Sequence, residues 1–453
     1  MNKKHFEFDN PTFFRSTLTL MAPIILQQLI TRGVNFLDNI MIGGFGEVDI
    51  AAASFSNSFY SIFQFICMGL GSGAVVLSSQ FWGQRDRKAL KATAAMAMQV
   101  TLAICAAFTL VSVITPGTIL RLYSSSPEVV AAGIPYLRLL GATFLLSGLS
   151  STATYMLRST GIVNIPLIGS AIAFFTNIFF NWVFIFGKLG APRLELLGAA
   201  VGTVIARIFE FLIVFGYFAM KDRNLNFRLP DMLSRGGSLW SKYIHYAVPV
   251  LVSDTLLGLS LAIVQSVYGH VSPNMSAASA MVGSFVQMIT TLNISMAGAS
   301  AIVVGNTIGE EHIDQAKRQS NTYLLIALFS GLLMVPILLL VQHPYLSLYT
   351  VANETLVIAG KMFLCNSLTI PLEAVAYVIS KGILRGGGDT RFLLVADSSC
   401  VWLISIPLGY MAAMIWHLDA FWIYFLLRLE FPLKGLICLA RYATGRWIKV
   451  IKA

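Results

Sequence analysis

The chain has 453 residues and a formal net charge of +10; 56% of it is hydrophobic and 11% is Asp, Glu, Lys or Arg, against roughly 25% charged in a soluble domain. The apolar residues come in runs of about 20 or more, each long enough at about 1.5 Å per residue to cross about 30 Å of hydrocarbon, so the membrane is the main solvent and a soluble globular protein is excluded. The surplus of basic residues does not indicate a nucleic-acid binder, because no basic run is interleaved with aromatics.

The first apolar run, near 16 to 43, contains Asp38 and ends at no small-residue cleavage site, so it is expected to remain as a span rather than be removed as a signal peptide. Further helices are predicted near 49 to 80, 89 to 115, 127 to 157, 164 to 187 and 196 to 220. The stretch from Lys221 to Trp240 is the longest hydrophilic segment, and helices follow near 243 to 270, 276 to 306, 314 to 341, 354 to 383, 391 to 415 and 417 to 440. With the ends and even-numbered loops on one side, that side holds 22 Lys and Arg, among them Arg85, Arg87, Lys88, Lys91, Lys221, Arg223, Arg228 and Arg235, and the other holds three, Arg121, Lys188 and Arg193. The basic side is the cytosolic one, which puts both termini in the cytosol. Cys67, Cys105, Cys365, Cys400 and Cys438 all fall in apolar runs without metal-ligand or disulfide spacing and read as small core residues.

Residues 23 to 91 overlay 249 to 317 without a gap. Pro23 falls on Pro249, Gly43 on Gly269, Ala51 and Ala52 on Ala277 and Ala278, and Gly83 on Gly309. Shifted by one further residue, Arg158 and Gly161 fall on Arg385 and Gly388. These are helix starts, helix ends and turns, the positions where residue type has structural meaning. The expected architecture is all-α and membrane-integral: twelve helices in two pseudo-symmetric six-helix bundles around a central cleft. The N-terminal lobe is 1–220, the cytosolic linker 221–240 and the C-terminal lobe 241–453. Parallel repeats of this kind suit a cleft that opens to either face as the halves rock.

The segments VNFLDNIMIGGFGEVDIAAAS (34 to 54), GSGAVVLSSQFWGQRD (71 to 86), NIFFNWVFIFGKLGAP (177 to 192), PVLVSDTLLGLSLAIVQSVYG (249 to 269) and ILRGGGDTRF (383 to 392) resemble those of bacterial multidrug and toxic compound extrusion (MATE) transporters over nearly the whole chain. The resemblance implies a monomeric antiporter, multi-pass in the bacterial inner membrane. It would exchange Na+ or H+ for small organic, often cationic and amphipathic, compounds, with no cofactor beyond the coupling ion. It places Asp38 at the family's helix 1 carboxylate and Asn177 and Thr203 at its polar partners on helices 5 and 6. Asn181 stands where several relatives carry aspartate. Asp254 matches a helix 7 acid, and Glu373 lies near the helix 10 position that is acidic in some subfamilies.

An acid at bilayer depth costs roughly 2.5 to 3.5 kcal/mol, so it faces a partner or a water-filled cavity. Asp38, Asp254, Glu373 and Asp397 are the expected ion-coupling acids, with Asn177, Asn181 and Thr203 beside Asp38; the bland alternative is a buried acid that only fixes packing. Apart from His270, no basic residue lies between Tyr246 and Ser276 to neutralise Asp254; Lys381 is the expected charge balance of Glu373, and Arg391 at the helix start the structural partner of Asp397. Glu210 stands three residues after Arg207 and is expected to form a structural ion pair with it. Arg428, Glu430 and Lys434 are assigned to packing and topology in the last span. Phe55, Tyr60 and Phe63 on helix 2, with Met281 and Met288 on helix 8, are candidate lining for flat cationic ligands, against a lipid-contact or core role.

MGLGSGA around Gly69, Gly71 and Gly73 reads as close helix packing, and RGGGD from Arg385 to Asp389 as a tight turn; neither has phosphate-binding spacing. The alternative function is a flippase for lipid-linked sugars, which a cleft rich in Lys and Arg would favour. An enzyme is not expected, since neither HExxH nor GxSxG occurs.

Overall fold

The computed structural model describes residues 6, 7, 10–42, 46–234, 237–349 and 351–452. Gly43 of the repeat and Arg235 of the hydrophilic segment lie outside them. Among the described residues every regular element is helical. In chain order these are α1 (Pro11–Ile42), α2 (Glu47–Gly83), α3 (Arg87–Ile114), the short α4 (Pro116–Arg121), α5 (Pro127–Ser159), α6 (Asn164–Phe186) and α7 (Leu196–Gly216). Then come α8 (Leu239–Val271), α9 (Pro273–Gly309), α10 (Ile313–Leu346), α11 (Asn353–Tyr377), α12 (Thr390–Ser398), α13 (Ile406–Met414), α14 (Ala420–Leu427) and α15 (Glu430–Ala443).

Among the described residues, eleven helical stretches are long and apolar enough to cross a membrane. The twelfth span is α14 with α15, which breaks at Arg428 and Leu429 and carries Glu430 and Lys434, so it reads as apolar only in part. Starts are set by local chemistry. Asp86 caps α3 by accepting from the Ala89 N–H, Ser272 caps α9 by accepting from Met275 with Pro273 at the first helical position, and Asp419 caps α14 by accepting from Phe421. The Lys361 ammonium hydrogen-bonds Asp419 and holds its carboxyl below the ordinary carboxylate range.

The chain forms two compact units. One comprises Ala22–Ser78 and Asp86–Ile244, the other Met1–Met21, Ser79–Arg85 and His245–Ala453. These are called the N-terminal and C-terminal units. They depart from a cut through the hydrophilic segment in three places. The start of α1 belongs with the C-terminal unit, where Phe13 packs edge-on to Tyr323 at 5.1 Å and the Thr17 and Tyr323 hydroxyls lie 2.7 Å apart. The last turn of α2 belongs there too. The segment 221–240, expected as a tether, is docked on the N-terminal unit instead. Lys91 on α3 pairs with Asp231 at 2.9 Å, Gln99 donates to the Met232 carbonyl at 2.6 Å, and Phe227 is buried against Phe218.

In the N-terminal unit α6 packs along α7, and α5 lies against both α3 and α7. Its core includes Phe63 stacked on Phe144 at 4.5 Å, with Cys67 and Cys105 alongside. All five cysteines are free and buried, as their apolar surroundings suggested. The C-terminal unit contains two π-helical stretches, Val378–Leu384 and Ser399–Ser405, which prolong α11 and interrupt the α12–α13 span. Such turns recur at functional sites.

The repeat becomes physical at one contact. A Cβ on Gly83 would strike the backbone carbonyl of Asn306, and a Cβ on Gly309 would strike that of Gln80. Gly83 overlays Gly309 and Gln80 overlays Asn306, so the ends of α2 and α9 cross with each glycine seated on the other helix's backbone. Gly83→Val is expected to cost about 1–3 kcal/mol, because a main-chain carbonyl cannot rotate away from the new side chain. A thermal unfolding midpoint for the purified variant equal to wild type would contradict that packing.

Candidate functional site

In the N-terminal unit α6 places Asn177 and Asn181 four residues apart on one face, and α1 and α7 bring Asp38 and Thr203 to them. Asn181 Nδ2 donates to Asp38 Oδ1 at 2.6 Å and to Asn177 Oδ1 at 3.3 Å; Asn177 Nδ2 donates to Thr203 Oγ1 at 3.4 Å. The four residues expected to form one group are therefore brought together. The departure at 181 has a clear consequence. A second carboxylate there would repel Asp38, whereas the amide gives it a neutral N–H donor. The Oδ1 of Asn181 is buried and has no hydrogen-bond partner. One carboxylate, together with amide and hydroxyl oxygens, is what this site offers a proton or a monovalent cation.

Arg207 stands four residues after Thr203 on the same helix, within electrostatic reach of Asp38. Its Nη1 pairs with Glu210 Oε2 at 2.6 Å, the ion pair expected from the spacing. A polar relay continues from there. Ser170 donates to Glu210 Oε1 at 3.3 Å, Gln27 Nε2 donates to Ser170 at 2.9 Å, and Arg158 Nη2 donates to Gln27 Oε1 at 2.6 Å. It links α7, α6, α1 and α5 through successive side-chain hydrogen bonds.

The C-terminal acids sit in a different environment. Asp254 on α8 is fully buried and grips two cations: both guanidinium nitrogens Nη1 and Nη2 of Arg385 lie 3.0 Å from its oxygens, and Lys381 Nζ lies 3.0 Å from Oδ1. The expectation of an acid without a nearby base was wrong because the bases come from the end of α11, 127 and 131 residues away. The π-helical stretch extends α11 through Lys381, so Arg385 is helical and buried, not the first residue of a loop turn. Glu373 does not balance Lys381; Arg428 binds it. Asp397 is not paired with Arg391; Ser253 donates to its Oδ2 at 2.8 Å and Lys434 Nζ stands 3.5 Å from Oδ1.

The charge density of the last span is thereby explained. Arg428 and Lys434 are counter-ions for acids on α11 and α12, and Glu430 lies within reach of both. A small cavity, with room for roughly one water molecule, opens beside Asp397 between Ser253, Ser398, Trp402 and Lys434. Ser253 and Arg385 were missed from sequence. The available signal was the equality of buried acids and bases along the C-terminal spans.

The proposed lining residues do not share one environment. Phe63 and Met281 are core side chains of the N-terminal and C-terminal units respectively. Phe55 stacks on Tyr123 at 6.0 Å, Tyr60 stacks on Phe144 at 5.8 Å, and Met288 is exposed.

Eleven long apolar helices among the described residues, with a broken twelfth span and ionisable groups within the helices, define the class, a polytopic solute transporter rather than an enzyme. The MatE family model matches residues 23–183 and again 249–411, the two halves of the repeat, and the chain belongs to that family of MATE transporters. It is 25% identical over 404 residues to the probable multidrug resistance protein YoeA of Bacillus subtilis, covering 88% of this chain and 87% of that protein. It is 23% identical over 431 residues to the multidrug resistance protein NorM of Vibrio vulnificus, covering 92% of each. A solved structure of the Vibrio cholerae MATE transporter VcmN, in mutant form, superposes with a TM-score of 0.87 at 16% identity, covering 96% of this chain and 97% of that one.

Proposed function

We propose that the protein exports small organic cations in exchange for protons, and that Asp38 is the group loaded alternately by proton and cargo. One observation carries this reading. Asp254, Glu373 and Asp397 each touch a buried cation, while Asp38 touches only a neutral amide among the described residues. Its charge is free to be answered by a mobile positive species. Hard metal cations need several oxygen ligands; here a single carboxylate receives an N–H donor, with Arg207 nearby, which suits a proton better than Na+.

The names of the multidrug relatives support the substrate class. The balance of buried charge in the C-terminal unit weighs against the flippase, because Lys381, Arg385, Arg428 and Lys434 are answered by Asp254, Glu373, Asp397 and Glu430. Among the described residues these buried cations leave no surplus there to hold a pyrophosphate. The working arrangement is a monomer in the bacterial inner membrane with both termini in the cytosol, as the distribution of Lys and Arg favours.

Proteoliposomes given a pH gradient or a Na+ gradient separately test the proposal with a fluorescent organic cation. The pH gradient should drive its transport and the Na+ gradient should not. Transport driven by Na+ alone refutes proton coupling, and movement of lipid-linked sugar without any cation flux favours the flippase.

A further inference from the structure

Between Ala22 and Ile244 only Ser79–Arg85 group with the C-terminal unit. That short stretch is the last turn of α2 and the start of the loop to α3, and a segment from the far end of the chain holds it. After α15 the chain turns at Gly445, whose φ is +70°, and runs back as a tail without regular secondary structure. Trp447 is buried at 1% exposure and stacks on Tyr442 at 5.3 Å. A Cβ on Gly387 would strike the Trp447 indole, and one on Gly386 would strike the Ala301 carbonyl, which accounts for two glycines of the RGGGD turn.

The tail is then fastened along its length. The Lys449 N–H donates to the Gly387 carbonyl at 2.9 Å, and its ammonium lies 2.5 Å from Asp389, a buried carboxylate that also binds Arg441 at 2.7 Å. The Ile451 N–H donates to Gln80 Oε1 at 2.9 Å, and its carbonyl accepts from Gln84 Nε2 at 2.7 Å. Gln80 is fully buried and its Nε2 donates to the Gly386 carbonyl at 3.1 Å. One amide side chain thus joins α2, the α11–α12 turn and the tail.

We infer that residues 446–452 form an intramolecular latch, and that its backbone, hydrogen-bonded to Gln80, Gln84 and Gly387, keeps the end of α2 seated against α9. Its polar contacts are hydrogen bonds and a partly exposed ion pair, each worth on the order of 1 kcal/mol, while Trp447 also packs in the core of the C-terminal unit. The two buried side chains that anchor it, Trp447 and Ile451, belong to the tail itself. Releasing the tail frees the seat of α2, and the inference rests on the alternating-access reading above: the latch must open once per cycle.

The test pairs Gln84→Cys with Ile451→Cys and joins the thiols of the folded protein with a short, reducible bifunctional reagent; the five native cysteines are buried. The linked protein is expected to transport at least about tenfold more slowly than the same sample after reduction, with an unfolding midpoint no lower, because the link restricts the unfolded chain. Equal rates before and after reduction overturn the latch. Hydrogen exchange gives a readout that needs no cargo. In wild type the amides of Lys449 and Ile451 should be protected, and Gln80→Ala or Gly387→Ala should speed their exchange at least about tenfold while α9 stays protected. Tail amides already in fast exchange in wild type, or unaffected by either substitution, also overturn it. If wild type moves no organic cation, the exporter reading falls alone, and the exchange experiment still decides the latch.

Discussion

Asp38→Asn is expected to reduce proton-driven export by about tenfold or more and to leave the protein folded. The substitution keeps the shape of the side chain, and the amide oxygen introduced at position 38 can still accept from Asn181 Nδ2, now 2.6 Å from the carboxylate. What it removes is the one negative charge in that cluster. The group can then neither take up a proton nor answer a cationic ligand, so both halves of the exchange fail together. Downhill flux of a neutral analogue, if the cleft admits one, should persist. Asn181→Asp is the informative companion. It places two carboxylates in direct contact, which can share one proton or a metal cation, and it should make transport responsive to Na+. Export by Asp38→Asn at the wild-type rate under the same pH gradient would remove Asp38 from the mechanism.

Asp254→Ala should be among the most destabilising single substitutions in the chain, at about 3–5 kcal/mol, the usual cost of stranding a buried charge. It leaves Lys381 and Arg385, both largely buried, without their shared anion. The lysine can escape by releasing its proton; the arginine cannot. The larger share of the cost therefore belongs to Arg385, and Asp254→Ala combined with Arg385→Met should recover most of the lost stability. The thermal midpoint of the purified protein in detergent reads both effects. A single variant as stable as wild type, or a double variant no better than the single, would show that the triad contributes little. The contrast with position 38 is the useful feature: one acid is held by fixed cations and matters to the fold, the other has a neutral neighbour and matters to transport.

Much of this was legible in the sequence, for reasons that differ by residue. Spans are readable because hydrocarbon demands long apolar runs, and the Arg207–Glu210 pair because three residues along a helix share a face. Gly83 and Gly309 could be matched because a close backbone crossing tolerates no Cβ in either copy. Partners from distant helices were not readable. The cation beside Glu373 lies 55 residues away and those beside Asp254 more than 120, and no local periodicity encodes such pairing. The π-helical stretch from Val378 to Leu384 also prolongs α11, so Arg385 lies on a helix where the glycine run suggested a loop. Trp447 and Ile451 carry no local sequence signal, and only the docked backbone gives them a role. The hydrophilic segment after α7 read as a tether because its composition is polar; its attachment to α3 depends on Lys91 and Gln99, which are remote in sequence.

The broken last span has a consequence for how the protein is made. With Arg428, Glu430 and Lys434 in one short stretch, it is a poor substrate for autonomous insertion, since each such group costs roughly 2.5 to 3.5 kcal/mol at the bilayer centre. Its compensating acids, Glu373 and Asp397, are synthesised earlier. Biogenesis is therefore expected to have a built-in order: α11 and α12 are in place first, and the final segment enters the lipid by docking onto their acids. A chain that stops before residue 428 lacks both cations that Glu373 and Asp397 meet in the finished fold.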